Sequence, residues 1–204
     1  SSKGWIFVLA TGLGLALLLR AELGRRAESE AALRESEEAQ ARWTRQLEVL
    51  RGVGEELSRE LSLPAALRLV IERAADLLGC PSGLVALWDE AEGRLAPGAW
   101  HGLGAWVAEL RWRAGEAVIG RVAQERTGRI VNDYRTSPLA HAPALEQTAV
   151  TAVMAEPLVA WGRFVGVVTL YKEHGARFSE EDRRLLALLA TQAAIAIENA
   201  RLFT

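Results

Sequence analysis

The chain has 204 residues, of which half are apolar and a quarter are charged, so it is long and apolar enough for one well-buried domain plus a non-globular arm. Its formal net charge of -2 gives no overall attraction to nucleic acid, and we expect no nucleic-acid partner. The single cysteine, Cys80, excludes an internal disulfide; we expect a small packed residue at a helix end, in a protein of a reducing compartment.

The amino-terminal segment carries no charged residue between positions 4 and 19. As a helix this stretch would be about 24 Å long, against about 30 Å for a hydrocarbon core, so residues 1–20 are predicted to form a transmembrane helix, which could be the last of several. Arg20, Arg25 and Arg26 follow directly, which predicts an inner-membrane protein with the rest of the chain in the cytoplasm. A cleaved signal peptide is the alternative, but no small-residue cleavage site follows.

Residues 21–61 contain no proline and are rich in Glu, Arg, Ala and Leu, which predicts one long helix. Apolar residues recur at alternating a and d positions of a heptad repeat, at Leu33, Trp43, Leu47, Leu50, Leu57 and Leu61. This spacing predicts a parallel coiled coil, and therefore a homodimer. A solvated single helix held by ion pairs is the alternative.

Residues 62–204 alternate between helix and strand patterns and are predicted to form one globular domain. Helices are expected at 67–78, 117–125 and 179–203, and strands at 83–88, 95–100, 129–132, 151–158 and 163–172. The pattern of residues 102–112 is ambiguous, and residues 133–148, with two prolines, are predicted to be a loop with a short helix. This order predicts an α+β fold with a central antiparallel sheet flanked by helices.

The last two predicted strands are joined by a short link that contains Gly162, which favours an antiparallel hairpin. The second of these strands is apolar on both faces. Val165, Val167, Thr169 and Tyr171 are expected on one face, and Phe164, Val168 and Leu170 on the other. Both faces of the sheet should therefore be covered.

The final helix has a strong start, because Ser179 is a suitable cap and three carboxylates follow it. Its apolar residues form two stripes, one of which is expected to cover the sheet. The other stripe keeps a heptad register and is predicted to be the dimer contact, with Leu185, Leu188, Gln192, Ile195, Asn199 and Leu202. Gln192 and Asn199 would fix the register of that contact.

Three segments carry a resemblance to a known family. They are LPAALRLVIERAADLLGC (63–80), GEAVIGRVAQERTGRIVND (115–133) and VMAEPLVAWGRFVGVVTLYKEHGARFSEEDRRLLALLATQAAIAIENARLF (153–203). In this order they resemble the GAF domain, the small sensory module of bacterial signalling proteins. The resemblance implies the same antiparallel sheet with helices on both sides, and a long loop that covers a ligand pocket.

The resemblance places Asp133, Tyr134 and His141 in the loop over the pocket, where His141 would contact a small-molecule ligand. An exposed loop side chain is the alternative for His141. The tryptophans of the domain suggest an aromatic-lined cavity, although core or dimer packing is the stronger explanation. The predicted ligand pocket comprises Trp100, Trp112, Val131, Asp133, Tyr134, His141, Met154 and Glu156.

No catalytic signature is present in the sequence, which has no phosphate-binding Gly loop, no HExxH and no GxSxG, so no enzymatic activity and no metal site are expected of these residues. Bilin-binding relatives hold the chromophore through a cysteine beside a histidine. The neighbours of His141 are Ala140 and Ala142, so a covalent bilin is not expected. The residues that bind cyclic nucleotides in other relatives are not apparent, nothing favours haem, and no cofactor is assigned.

The resemblance implies a sensory input module of a bacterial signal-transduction protein. We expect the parent protein to be a sensor histidine kinase, with the output domain after residue 204. An input module of a diguanylate cyclase or a phosphatase is one alternative, and a ligand-free dimerisation or relay spacer is another. In each case the signal would pass through the dimer helices, from residues 22–61 to the final helix.

Overall fold

The computed structural model of the chain describes residues 62–202. The transmembrane helix predicted over residues 1–20 and the coiled coil predicted over residues 21–61 lie outside the described residues. Among the helices of residues 62–202, none combines the length and the apolar character that crossing a membrane requires.

The described residues form an antiparallel sheet with helices on both faces, which confirms the predicted α+β class. The α-helices are α1 (Leu63–Leu77), α2 (Ala117–Glu125), α3 (Ala142–Gln147) and α4 (Glu180–Leu202). The strands are β1 (Ser82–Asp89), β2 (Arg94–His101), β3 (Trp112–Arg113), β4 (Arg129–Val131), β5 (Val150–Ala160) and β6 (Arg163–Glu173). Short 3-10 helices cover Ala105–Glu109 and Tyr134–Thr136.

The strand order across the sheet is β3, β2, β1, β6, β5, β4, and every neighbouring pair is antiparallel. The predicted hairpin is confirmed, since β5 turns into β6 at Trp161 and Gly162, both with positive φ as a tight hairpin turn requires. At the centre of the sheet β1 pairs with β6, in a register that sets Leu84 beside Thr169. The hairpin of β1 and β2 is thereby joined to the hairpin of β5 and β6.

Two apolar clusters fill the two sides of the sheet. The α1/α4 core includes Ile71 of α1, Leu170 of β6, and Leu186 and Ile197 of α4. The α2 core includes Leu84 of β1, Val122 of α2, and Val153 and Val167 of the hairpin. Because the middle strands are buried on both faces, their sequences are almost continuously apolar.

A β-bulge in β6 changes the predicted alternation of that strand. Leu158 pairs with Gly166 and Val159 pairs with Phe164, so Val165 is an extra residue opposite the β5 strand. Val165 packs in the α1/α4 core, whereas strict alternation placed it on the face of Val167, and that prediction was wrong. At Gly166 a Cβ atom would collide with the Ala86 carbonyl oxygen of β1, so the close approach of the two strands requires glycine.

The start of α1 differs from the prediction, and the structure resolves the ambiguity of residues 102–112. Helix α1 begins at Leu63 and not at residue 67, because Pro64 fits the first turn of a helix. The ambiguous segment 102–112 contains the 3-10 helix Ala105–Glu109 and enters strand β3. Its chain folds over the face of the sheet opposite α1 and α4, where Val107 is part of the α2 core.

Helix α4 begins with a reciprocal cap. The backbone N–H of Asp182 donates to Ser179 Oγ at 3.1 Å, and the backbone N–H of Ser179 donates to Asp182 Oδ2 at 2.9 Å. Glu180, Glu181 and Asp182 supply three carboxylates to the positive end of the helix dipole. This helix start was predicted from the sequence and is confirmed.

The two apolar stripes of α4 differ in burial. The inner stripe is buried in the α1/α4 core, with Leu186, Leu189, Ala190, Ala193, Ala194 and Ile197, and Ala200 is also buried. On the other stripe Leu185, Ile195 and Asn199 are half-buried, Gln192 is exposed, and Leu188 keeps 37% of its surface accessible. Leu202, the last residue of the predicted dimer stripe, ends the described helix.

Cys80 is a buried residue just after α1, as the sequence predicted. Its backbone N–H donates to the Ala75 carbonyl at 2.8 Å and closes the end of the helix. Burial raises the pKa of the Cys80 thiol to about 11, partly offset by the nearby Lys172 ammonium group. The thiol is therefore protonated at neutral pH and is a poor nucleophile.

The cap at Ser179 leads to a stability prediction. Replacing Ser179 by Ala removes the oxygen that accepts the Asp182 N–H, and the free energy of unfolding should fall by about 1 kcal/mol in urea denaturation. A Ser179→Asp variant keeps a capping oxygen and should lie within a few tenths of a kcal/mol of the parent. Equal losses in both variants would show that the cap does not stabilise α4.

Candidate ligand-binding site

A small, partly open cavity lies on the α2 side of the sheet. Its floor is formed by β1, β5 and β6, and its walls by α2 and by residues 103–112. A lid segment, residues 134–148, covers it. The lining residues are Leu84, Leu103, Trp106, Val107, Leu110, Trp112, Ala117, Val118, Ile119, Tyr134, His141, Ala144, Thr148, Val150, Val153, Thr169 and Tyr171. The free volume inside is about 30 Å³.

The lid segment is held by polar contacts to its own backbone. Tyr134 is buried in the α2 core, and its hydroxyl oxygen accepts a hydrogen bond of 2.9 Å from the backbone N–H of His141. The Arg135 guanidinium donates to the carbonyl oxygens of Leu145 and Thr148, each at 3.3 Å. The lid therefore has a defined shape although it contains only the 3-10 helix Tyr134–Thr136 and α3.

The polar groups in the cavity are neutral. Burial raises the pKa of Tyr171, with a smaller contribution from Tyr134, and burial also raises the pKa of Tyr134. Both phenols are therefore protonated at neutral pH. Burial lowers the pKa of His141, against a smaller opposing effect of Glu116, so this imidazole is also neutral. Its ring lies 5.8 Å from the Trp112 ring, measured between centroids.

One hydroxyl on the cavity floor has no partner. Thr169 is 1% exposed, and its Oγ1 forms no hydrogen bond with any described residue. Native proteins leave few buried polar atoms unpaired, because each one loses its hydrogen bonds to water without replacement. Thr169 lies in the middle of β6, between Leu84 of β1 and Ala155 of β5, so the position of this hydroxyl is fixed by the sheet.

The structure brings three of the predicted pocket residues to the cavity. Trp112, Tyr134 and His141 all line it. Trp100 and Val131 are half-buried and pack against the α2 core, but neither is among the lining residues.

The other three predicted pocket residues lie elsewhere. Asp133 is exposed and pairs with Arg177 at 3.2 Å. Met154 and Glu156 point to the opposite face of the sheet, because side chains alternate along β5 and Val153 faces the cavity. Met154 is buried in the α1/α4 core, and Glu156 Oε1 accepts from Arg183 Nη1 of α4 at 3.1 Å.

Sequence reasoning missed the strand residues of the cavity floor. Thr169 and Tyr171 share one face of β6, as the alternation predicted, but the sequence did not show which face the lid covers. Trp106, another tryptophan of the domain, lies at the cavity wall and was not among the predicted pocket residues. Cys80 packs in the α1/α4 core, on the other side of the sheet from the cavity.

The base of the lid is bonded to the start of α4. Asn132, just before the lid, donates from Nδ2 to the Phe178 carbonyl at 2.9 Å and accepts the Phe178 N–H on Oδ1 at 2.7 Å. Next to this pair lies the exposed ion pair of Asp133 and Arg177. The segment just before the lid is therefore connected to the segment just before α4 through four residues, Asn132, Asp133, Arg177 and Phe178.

The comparisons with known proteins define the class of this domain. A family model described as the GAF domain matches residues 60–198, more than half of the chain, so the chain belongs to the GAF domain family. GAF domains are sensory and regulatory modules of signalling proteins. The predicted GAF resemblance is thereby confirmed.

Solved structures agree with the family. The GAF domain of a phosphoenolpyruvate-protein phosphotransferase from Coxiella burnetii is 26% identical, with a TM-score of 0.69 over 77% of this chain and 95% of that one. Free methionine-R-sulfoxide reductase from Neisseria meningitidis, in complex with its substrate, is 23% identical, with a TM-score of 0.68 over 78% of this chain and 92% of that one. A methyl-accepting chemotaxis protein fragment is 21% identical, with a TM-score of 0.63 over 74% and 97%. The latter two show a similarity of fold alone.

A comparison with curated protein sequences gives no significant match.

The lowered pKa of His141 predicts a pH dependence of stability. A group with a lowered pKa in the folded state stabilises the fold fully above its ordinary pKa of 6.5, and that stability is lost as pH falls below it. The free energy of unfolding should therefore decrease between about pH 7 and pH 5, and His141→Asn should reduce this slope. His174, whose side chain is exposed, provides the matched control His174→Asn. The slope is measured by urea denaturation across pH; equal slopes in all three proteins would contradict the prediction.

Proposed function

We propose that this chain is the sensory input module of a bacterial signal-transduction protein, with the cavity as the sensing site and α4 as the output helix. The observation that carries the proposal is the pair of hydrogen bonds between Asn132, at the base of the lid, and Phe178, which directly precedes the Ser179 cap of α4. Tyr134 contacts the cavity, and Asn132, two residues earlier, holds the backbone of Phe178 through two hydrogen bonds. A movement of the lid is therefore transmitted to the helix.

The two contacts of the connection differ in strength. Asn132 is half-buried, and each of its bonds to Phe178 satisfies a backbone group that would otherwise need another partner. The pair of Asp133 and Arg177 is exposed, and pairs of this kind contribute about 0–1 kcal/mol. We therefore propose that Asn132, rather than the ion pair, transmits movement of the lid to α4.

A second contact ties α4 to the sheet. Glu156 of β5 is 5% exposed and pairs with Arg183 of α4, while Arg183 also binds Glu180 at 2.8 Å. Burial raises the pKa of Glu156, and the hydrogen bond from Arg183 opposes that rise. The start of α4 is thus held at both the lid and β5, so a change at either site would alter the packing of the whole helix.

The outer stripe of α4 supports a homodimer. Leu185, Leu188 and Ile195 repeat at the spacing of a helix–helix contact, and Leu188 is exposed. In the proposed dimer each stripe packs against its copy, and Gln192 and Asn199 fix the register of the pair. Two arrangements of this bundle would then be the two signalling states.

The proposal also includes a membrane anchor before the domain and an output domain after it. The uncharged segment 4–19, the arginines after it and the heptad pattern of residues 21–61 support a membrane-anchored coiled coil that leads into a cytoplasmic GAF domain. We assign the parent protein to the sensor histidine kinases, in which the output domain would continue from α4. Under this proposal the described domain itself performs no chemistry.

The size of the cavity favours a second candidate function. A free volume of about 30 Å³ holds one or two water molecules, whereas sites for small ligands usually enclose about 300–1,000 Å³. A ligand-free relay, in which the domain only passes a membrane signal to α4, needs no larger cavity. The two candidates differ in one observable, the presence of a ligand.

Native mass spectrometry of the full 204-residue chain, purified from cells, tests the proposal. We expect a dimer that retains a small non-covalent mass, and an empty dimer would favour the relay. Leu188→Glu should shift the equilibrium towards monomer, because it places a charge in the proposed contact. Leu77 on α1 is equally exposed at 37% and lies off the α4 stripe, so Leu77→Glu should remain dimeric. If the unsubstituted chain is monomeric in the mass spectrum, the proposed homodimer is wrong.

Hydrogen exchange tests the connection between the lid and α4. Asn132→Ala removes both bonds to Phe178, and the amides of the first turn of α4 should exchange about tenfold faster, since each hydrogen bond contributes about 1 kcal/mol. Arg177→Gln removes only the exposed ion pair and should change exchange by less than about threefold. Unchanged exchange in Asn132→Ala would contradict the coupling.

A further inference from the structure

Resting on the proposed function of the cavity as a sensing site, we propose that its ligand is a small uncharged organic molecule with an apolar body and one carbonyl or hydroxyl oxygen, which accepts a hydrogen bond from Thr169. The chemistry of the lining residues carries this assignment.

The unpartnered hydroxyl of Thr169 gives the point of attachment. This side chain is buried at the floor of the cavity, and Oγ1 has no hydrogen-bond partner among the described residues. A ligand oxygen placed against it would satisfy the hydroxyl without any change in the sheet. Because β6 is paired on both sides at Thr169, the hydroxyl is held in place before the ligand arrives.

Further donors surround the same space. The Tyr134 oxygen already accepts the N–H of His141, so its own proton remains to be donated. Tyr171 lies two residues from Thr169 on the same strand face and also lines the cavity. Protonated phenols and a threonine hydroxyl are O–H donors, and they match a ligand whose polar atom is an acceptor.

The other residues that line the cavity disfavour a charged ligand. Among the described residues, the side chains that line the cavity include no Asp, Glu, Lys or Arg. A carboxylate or phosphate would lose its hydration without gaining an opposite charge, which is strongly unfavourable. An apolar ligand body, by contrast, would contact aliphatic and tryptophan side chains such as Leu84, Val118, Trp106 and Trp112.

The lid determines how such a molecule enters. The present free volume of about 30 Å³ is too small for more than a few atoms, so binding requires the lid to move outward. The lid lies outside the sheet, and its displacement breaks no strand pairing. It is bonded to α4 through Asn132, so the ligand that fills the cavity also changes the position of the output helix.

Three probes with the same ring separate the possible ligand classes. Cyclopentanone has the apolar body and the acceptor oxygen, cyclopentane lacks the oxygen, and cyclopentanecarboxylate carries a charge. We expect saturation-transfer NMR on the full 204-residue chain to show that cyclopentanone binds about tenfold more tightly than cyclopentane, and that the carboxylate does not bind.

Substitutions at Thr169 assign the preference to its hydroxyl. Thr169→Val should reduce the advantage of cyclopentanone over cyclopentane to less than about twofold, whereas Thr169→Ser should retain it. The empty Thr169→Val protein should melt at a higher temperature than the parent, since an unpaired buried hydroxyl is removed. Ser82 is a second buried hydroxyl without a partner among the described residues, but it does not line the cavity, so Ser82→Ala should leave probe binding unchanged.

The outcomes distinguish this inference from the proposed function. If cyclopentanecarboxylate binds more tightly than cyclopentanone, the proposed ligand class is wrong. The cavity would still be a sensing site in that case. An equal preference in Thr169→Val and the parent would overturn the role of Thr169. If none of the probes binds at millimolar concentration, the inference fails; an empty dimer in the mass spectrum would then remove the sensing site as well.

Discussion

The hairpin of β5 and β6 is covered on both faces, and the rest of the domain is arranged around this constraint. Successive side chains of a strand point to opposite faces, so the buried apolar residues of the hairpin divide between the α1/α4 core and the α2 core. Each fully buried aliphatic side chain stabilises the fold by about 1.5–3 kcal/mol. A shift of one residue in the pairing of these strands would move the side chains of each face to the opposite face. The register of the hairpin is therefore strongly specified. The bulge at Val165 changes the alternation locally, and the next residue, Gly166, allows the close contact of β6 with β1.

Helix α4 packs on one face of this sheet, and the residues just before it are bonded to the base of the lid. Small residues on its inner stripe, Ala190, Ala193 and Ala194, let it approach α1 and the strands closely. Phe178, two residues before the helix, is bonded to Asn132 at the base of the lid. Under the proposed function, the same helix would respond to the packing of the α1/α4 core and to the position of the lid. This dual attachment is the physical basis for treating α4 as the output element.

The cavity departs from the packing of the rest of the domain. Most buried side chains of the sheet are apolar, but here the hydroxyls of Thr169, Tyr171 and the lid residue Tyr134 face one small space. An unpaired hydroxyl lowers the stability of the empty protein, and such local losses are typical of functional sites. The absence of charged groups among the described lining residues also limits what the space would accept, since a buried charge needs a partner.

The sequence by itself determined the elements that depend on local interactions. Helix α2 at residues 117–125, the hairpin and the cap at Ser179 were all predicted, because periodicity, turn chemistry and capping act within a few residues. The resemblance to the family also placed Tyr134 and His141 in the lid. Only the tertiary structure decided which strand face meets the lid, and so placed Thr169 and Tyr171 at the cavity and Met154 and Glu156 on the opposite side. Strand alternation states which residues share a face, but the side that each face takes depends on where distant helices pack.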